Sequence, residues 1–154
     1  MTPDVDRLRR SLDQLHDLIE RIEFEFVNDP QWAEPSDSSY LTDADRANPD
    51  IMANVEAMGA TNKLIAWFGR DFQGYVGLWR GPSDLSLDEA PVVRLDTEGQ
   101  YSLVAATVPE YLAISVEKEA FEHIRGVLIA AGFDLRSSRK EIWAAIDRKT
   151  NPNE

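Results

Sequence analysis

Histidine is scarce in this chain, which limits the acid–base and metal chemistry that the sequence can support. The two histidines, His16 and His123, lie far apart in sequence, and neither belongs to a recognisable motif. His16 and Glu20 are four residues apart, a spacing that puts two metal ligands on one helix face, but no third ligand accompanies them. The sequence therefore predicts two solvent-exposed helix residues here, with no metal site and no cofactor.

Two segments have the first elements of ligand-binding loops and lack the rest. Asp43 and Asp45 are spaced like the first two ligands of a calcium loop, but Ala47 stands at the third ligand position and Asn54 where the closing glutamate belongs. The glycines between residues 69 and 81 neither open a helix in a G-x-G-x-x-G pattern nor precede a G-K-[ST] sequence. We therefore expect no calcium site and no phosphate-binding loop.

The chain contains no cysteine, which excludes thiol catalysis, and a serine nucleophile would need a histidine or lysine base and an orienting acid. No G-x-S-x-G turn is present to expose such a serine. Carboxylates are so abundant that two of them converging in a cleft, as in a glycosidase, stay open as a hypothesis. Otherwise the residues indicate a protein that is not an enzyme.

An aromatic cluster, formed by Trp67, Phe68, Phe72, Tyr75 and Trp79, is the remaining chemical feature of the sequence. Large rings are what a small sheet buries against helices, so we expect most of this cluster to lie in the core. The alternative is a small-molecule-binding or regulatory domain with a pocket that uses Trp67 and Trp79.

The composition indicates a single acidic domain. The chain has 154 residues, and its 28 carboxylates against 16 lysines and arginines give a formal net charge of −12. Such a charge repels the backbone of nucleic acids, whose binding depends on cations. The lack of cysteine and the charged N-terminal segment favour a cytoplasmic protein, and no apolar run approaches the roughly 20 residues that span a bilayer.

The negative charge is concentrated in residues 1–60, which hold 14 acidic residues and 5 arginines. Charge of this density keeps a protein soluble, and it also steers a basic protein partner toward the acidic side. Under the second interpretation, we expect the partner to contact Asp37, Asp43, Asp45 and Asp50.

Apolar residues at alternating steps of three and four, from Val5 to Phe26, predict one long helix over residues 3–25. This stripe is typical of core packing, and a coiled-coil seam is the alternative, so that the chain is either a monomer or a homodimer.

Residues 28–47 show no periodicity and predict a long loop, in which Trp32, Tyr40 and Leu41 indicate partial packing. Asn48 as the cap and Gly59 just beyond the end frame a short helix.

The second half of the chain first shows the pattern of β-strands and then that of helices. Residues 64–68 and 75–79 predict a hairpin, and residues 92–95 and 101–105 predict two further strands of an antiparallel sheet. Thr107 and Glu110 form a predicted capping box, Ser115 a predicted cap for the next helix, and Gly132 its end. The tail after about residue 148 is polar and is expected to fray. The predicted fold class is therefore α+β, with an antiparallel sheet of four or more strands packed against N-terminal and C-terminal helices.

The stretch from residue 64 to 116 resembles the SUKH superfamily. The resemblance rests on a glycine-punctuated aromatic hairpin, a P-V-V strand followed by D-x-E-G, and a helix of the form T-x-x-E-Y-L. These motifs fall on Gly74 and Gly77; Pro91, Val92 and Val93; Asp96, Glu98 and Gly99; and Thr107, Glu110, Tyr111 and Leu112.

Members of this superfamily are non-enzymatic α+β domains, and the bacterial ones resemble immunity proteins that bind and neutralise toxins, often nucleases. The resemblance implies a single SUKH-like domain over residues 1–154 that binds a cognate toxin, and an acidic chain suits a basic toxin because complementary charge raises association rates. The motif residues look structural, so no binding residue follows from the resemblance.

Overall fold

The computed structural model describes residues 3–11, 13–27, 35, 41–81 and 85–146. Asp37, Trp32, Tyr40 and the tail from residue 147 lie outside these ranges. The helices are α1 (Pro3–Arg10), α2 (His16–Arg21), α3 (Asp43–Arg46), α4 (Pro49–Asn62), α5 (Val108–Ile114), α6 (Phe121–Ala130) and α7 (Arg139–Ile146), with a 3-10 turn at Lys118–Ala120. The strands are β1 (Glu25–Phe26), β2 (Ile65–Asp71), β3 (Gly74–Trp79), β4 (Val92–Asp96) and β5 (Tyr101–Ala105).

The sheet confirms the predicted α+β fold. Its five strands lie in the order β1-β2-β3-β4-β5, and every neighbouring pair is antiparallel. The hairpin between β2 and β3 is tighter than its sequence suggested, because Asp71 pairs with Gly74 across a two-residue turn. Gly74 has φ +148°, which favours glycine at this position.

The short edge strand β1 was not predicted. It adds Glu25 and Phe26 opposite Arg70 and Gly69 of β2. A glycine is required at residue 69, because a Cβ there would lie 2.5 Å from the Glu25 carbonyl oxygen and would also overlap the Phe24 ring. The closeness of the two backbones thus explains why a glycine occurs within an aromatic strand.

Strand alternation divides the core into two clusters. The larger one joins one sheet face to α1, α2, α5, α6 and α7; among its fully buried side chains are Phe68, Val76, Tyr111, Leu112 and Leu128. The smaller one consists of Ile65, Trp79, Val93, Leu95 and Tyr101. Met58 of α4 packs against the smaller cluster, and the Tyr101 hydroxyl donates to the Asn62 side-chain oxygen at 2.6 Å. Helix α4 is therefore attached to the smaller cluster.

The predicted N-terminal helix over residues 3–25 is wrong in its length, because the chain forms two short helices there. Helix α2 ends in a Schellman motif, in which Phe24 N–H donates to the Ile19 carbonyl at 3.0 Å and Glu23 N–H to the Glu20 carbonyl at 3.1 Å. Glu23 takes the left-handed position of the motif, with φ 54°. Glycine is the usual residue there, so the sequence did not signal this helix end.

The region of residues 41–62 also differs from its prediction. Residues 43–46, which were expected to be part of a loop, form α3. Helix α4 begins at its predicted cap, Asn48, but continues past Gly59 to Asn62. A Cβ at Gly59 would meet no atom within 4 Å, so this glycine has no steric role in ending the helix.

The capping predictions in the C-terminal half are only partly correct. The Thr107 hydroxyl accepts from Glu110 N–H at 3.4 Å, but the Glu110 carboxylate accepts from Arg136 rather than from the cap. Ser115 ends α5 instead of opening the next helix, since its hydroxyl donates to the Tyr111 carbonyl at 2.6 Å. Gly132, with φ +98°, follows the end of α6 as predicted.

Candidate functional site

Three of the four predicted contact residues lie in the described part of the chain, on α3 and α4. The short helix α3 is fixed by a capping box: Asp45 N–H donates to the Thr42 hydroxyl at 3.1 Å, and the Asp45 carboxylate accepts from Thr42 N–H at 2.9 Å. This backbone hydrogen bond, together with one from the Thr42 hydroxyl, lowers the pKa of the Asp45 carboxyl below its usual 3.8. Asp45 is therefore a fixed anion at neutral pH.

The start of α4 places Asp50 beside α3. The Asn48 side-chain oxygen accepts from Asp50 N–H at 3.0 Å and from Ile51 N–H at 3.4 Å, and Pro49 occupies the first helical position. Asp50 lies in the first turn of α4, where the helix dipole favours a negative charge.

An open hollow lies between the two helices, and we call it the acidic groove. It has a volume of about 440 Å³ and is lined by Leu41, Asp45, Asp50, Ile51, Asn54 and Val55. Leu41, Ile51 and Val55 are all partly exposed. The structure thus combines an apolar surface with the carboxylates of two predicted contact residues.

The charged residues among those that line the acidic groove, Asp45 and Asp50, are both acidic. No lysine or arginine is among the described residues that line it. Asp43, the third predicted contact residue, is exposed on α3 but does not line the groove, and Asp37 lies outside the described residues. A cationic group that enters the groove would thus meet the carboxylates of Asp45 and Asp50.

The predicted aromatic pocket residues lie on the sheet face that carries the smaller cluster. Trp79 is 5% exposed, and Trp67 packs against that cluster. The Trp67 ring meets the Tyr75 ring edge to face, with 6.0 Å between the ring centroids. Neither tryptophan is among the described residues that line the acidic groove, so the use of the two tryptophans as a pocket stays a prediction.

The other candidate groups occupy separate places. His16 and Glu20 form an exposed pair at 3.4 Å on α2, and His123 is exposed on α6. In the described ranges, no three histidine, aspartate or glutamate side chains come together in a way that would hold a metal ion. Within the same ranges, no helix is both long enough and apolar enough to cross a bilayer.

Sequence reasoning missed a buried polar network around Asp71. The Asp71 carboxylate accepts from Gln73 N–H at 2.8 Å, Gly74 N–H at 3.2 Å, the Tyr111 hydroxyl at 2.8 Å and the Arg94 guanidinium at 2.7 Å. The pKa of the Tyr111 hydroxyl is raised well above its usual 10.0, chiefly by burial and to a smaller extent by the negative charge of the Asp71 carboxylate. The only local signal for this network in the sequence is the position of Asp71 two residues before Gln73 of the turn, a spacing that lets the carboxylate accept from the turn backbone. The partners from β4 and α5 are distant along the chain.

A second buried carboxylate, Glu110, ties α5 to the segment that precedes α7. Its side chain is 1% exposed and accepts from Arg136 N–H at 2.9 Å and from the Arg136 guanidinium. Both oxygens of the Asp71 carboxylate and both oxygens of the Glu110 carboxylate thus accept hydrogen bonds. This arrangement is typical of structural groups and leaves neither carboxylate ready for acid–base work.

Comparison of the chain with protein families, with characterised proteins and with solved structures finds no match. The resemblance to the SUKH superfamily therefore stays a prediction from the motifs of residues 64–116.

Proposed function

We propose that this chain is a non-enzymatic protein-binding domain whose acidic groove takes a basic protein partner. The observation that carries the proposal is the groove itself, in which Leu41, Ile51 and Val55 form an apolar surface beside Asp45 and Asp50. Apolar area supplies affinity when a partner covers it, and carboxylates select a partner of opposite charge. The open form of the groove suits a protein surface better than a small molecule, which needs an enclosing pocket.

The net charge of −12 supports the same proposal through kinetics. Long-range attraction raises the rate at which a basic partner meets the acidic side, and the increase diminishes as salt screens the charges. Because 14 of the acidic residues belong to residues 1–60, the attraction favours the region of the chain that contains the groove. A salt-sensitive association rate is therefore expected.

The class of partner that we favour is a bacterial toxin domain, possessing the basic surface of a nuclease. The SUKH resemblance supports this choice, since its bacterial members resemble immunity proteins. A nuclease that binds nucleic acid must present cations to the phosphate backbone, and an acidic protein can cover the same surface. Such a protein would act in the cytoplasm, where the toxin would meet its substrate.

The test is a pulldown with tagged protein from lysate of the host, at low and at high salt, with captured neighbouring-gene products identified by mass spectrometry. Two variants distinguish specific from general charge effects. Asp43→Lys/Asp50→Lys changes the groove region and leaves the Asp45 cap intact, and Asp13→Lys/Asp17→Lys makes the same charge change at exposed residues before and within α2.

A basic partner that binds the parent chain and the second variant, and is lost from the first, would support the proposal. If both variants lost the partner equally, the overall negative charge rather than the groove would explain the binding. Recovery of no basic protein from a lysate that contains the neighbouring-gene product would overturn the proposed function.

A further inference from the structure

A larger cleft lies at the far end of the β2–β3 hairpin, at the junction of α2 and β1. Its volume is about 670 Å³, and we call it the hairpin cleft. Its apolar part includes Phe24, Phe72 and Tyr75, and Glu20, Glu23 and Glu25 contribute carboxylates. Phe72 N–H donates to the Ile22 carbonyl at 3.2 Å, which holds the turn of the hairpin against the end of α2.

The three glutamates of the hairpin cleft are not equally available. Arg70 takes up the Glu25 carboxylate, with its Nε at 2.6 Å and its Nη2 at 2.5 Å from Oε2. Glu20 pairs with His16 at 3.4 Å, but both side chains are about two-thirds exposed, so water weakens that pair. Within the part of the chain that the structure describes, Glu23 has no ion-pair partner. Glu23 is therefore the carboxylate best placed to accept an external cation.

Glu23 occupies a backbone position that suits glycine better. Its φ of 54° is the left-handed conformation, which disfavours residues that have a Cβ. The same chain places Gly132 at the matching position of a second Schellman motif, where Phe133 N–H donates to the Leu128 carbonyl at 3.1 Å and Gly132 N–H to the Ile129 carbonyl at 2.9 Å. Glutamate at residue 23 thus costs stability that glycine would not, and it contributes a carboxylate to the cleft.

Phe72 supplies the aromatic part of the hairpin cleft. It occupies the two-residue turn of the hairpin and is 54% exposed, the largest exposure among the large apolar side chains of the described residues. An aromatic face attracts a cation, and a guanidinium can lie on a ring while its N–H groups bond a carboxylate. Lysine, a compact and strongly hydrated cation, gains less from such a site.

We propose that the hairpin cleft binds an arginine side chain of a basic protein partner, with the guanidinium over the Phe72 ring and paired with the Glu23 carboxylate. The charge complementarity of the carboxylates and the exposed ring select this occupant over an uncharged or acidic segment. The inference rests on the proposed function, because both take a basic protein as the partner, but it concerns a second surface formed by different elements.

The probe is a short acetylated peptide of alternating glycine and arginine, titrated into ¹⁵N-labelled full-length protein and followed by amide chemical shifts at low ionic strength. We expect shifts at Phe72 and Glu23 and a weaker response to the matching lysine peptide. Shifts confined to the acidic groove would overturn the inference and leave the proposed function standing. Equal responses to both peptides, or no shift at the cleft, would also overturn it.

Two substitutions of Glu23 separate binding from folding. Glu23→Gln removes the charge and keeps the strained backbone, whereas Glu23→Gly removes both. Each should weaken binding of the arginine peptide about threefold to tenfold. Only Glu23→Gly should increase the folded-to-unfolded ratio, by about fivefold, because it relieves the left-handed strain. A binding defect in the more stable variant cannot result from unfolding.

Each variant of the hairpin cleft has a matched control at another exposed position. Glu122→Gln, in α6, is the control for Glu23→Gln. Ile129→Ala, which removes another exposed apolar side chain, is the control for Phe72→Ala. Both controls should leave peptide binding unchanged. If Glu122→Gln weakened binding as much as Glu23→Gln does, general charge rather than the hairpin cleft would explain the result, and the inference would fail.

Discussion

Replacing Arg94 by methionine tests how strongly the fold depends on the buried ion pair. In the folded protein the Asp71 side chain is 0% exposed and the Arg94 side chain is 13% exposed. Methionine retains much of the apolar stem of arginine, so that the substitution mainly removes the positive charge. The Asp71 carboxylate would keep its hydrogen bonds from Gln73, Gly74 and Tyr111 but would lose its counter-ion.

The expected cost follows from these contacts. A hydrogen bond to a charged group contributes about 1.5–3 kcal/mol. Removing one partner of a buried ion pair costs about 3–5 kcal/mol. Because three donors remain on the carboxylate, we expect a loss near the lower end, about 3 kcal/mol. For a domain of this length, that loss corresponds to a decrease of about 6–12 °C in Tm.

Urea unfolding at neutral pH, followed by tryptophan fluorescence, measures this loss as a lower midpoint with an unchanged m value. The control is the double variant Arg94→Met/Asp71→Asn. Asparagine can still accept from the two backbone N–H groups of the turn, and no charge is left buried. We expect the double variant to be about 1–2 kcal/mol more stable than the single one. A loss below about 1 kcal/mol in Arg94→Met, or a double variant no more stable than the single one, would refute the reasoning.

Two further predictions concern glycine positions and alkaline pH. Gly59→Ala should raise the free energy of unfolding by about 0.5–1 kcal/mol, because the residue is inside a helix and a Cβ there meets nothing within 4 Å. Gly69→Ala should lower it by about 1–3 kcal/mol through overlap with β1, and similar urea midpoints for the two variants would contradict this. The raised pKa of Tyr111 means that the folded state holds the hydroxyl proton more tightly, so stability should decrease as pH rises above the usual 10.0. Urea midpoints measured from about pH 8 upward should decrease less steeply in Tyr111→Phe, and parallel pH profiles would argue against the assignment.

The strands were predictable because their signals are local. Each of the four predicted strands combines an apolar run with a nearby turn residue, and each appears at its expected place in the sheet. The exception, β1, has only two residues and depends on Gly69 for its close approach to β2. A pairing that depends on a distant glycine leaves no pattern within the strand itself.

The helix ends were harder to predict, because their decisive residues depart from the usual preferences. Glu23 follows the end of α2 in the left-handed conformation, where glycine is the usual residue, so no glycine marks this helix end. Gly59, by contrast, lies inside α4. The acidic groove was predictable only as a set of aspartates, although the capping box of Thr42 and Asp45 that fixes α3 is a local signal. The Asp71 network joins three elements that are remote in sequence, and no spacing rule brings them together.

The connectivity of the sheet also sets the order in which it can assemble. Strands β2 to β5 pair with their neighbours along the chain, but the contact of Glu25 with Arg70 spans 45 residues. Closing a loop of that length costs about 3 kcal/mol of chain entropy before any contact is gained. We expect the four-stranded meander to form first and β1 to join late. Faster amide exchange at Val27, whose N–H donates to the Phe68 carbonyl at 3.1 Å, than at Val76 would support this order. The hairpin cleft, which needs both parts, is then among the last features to form and among the first to open.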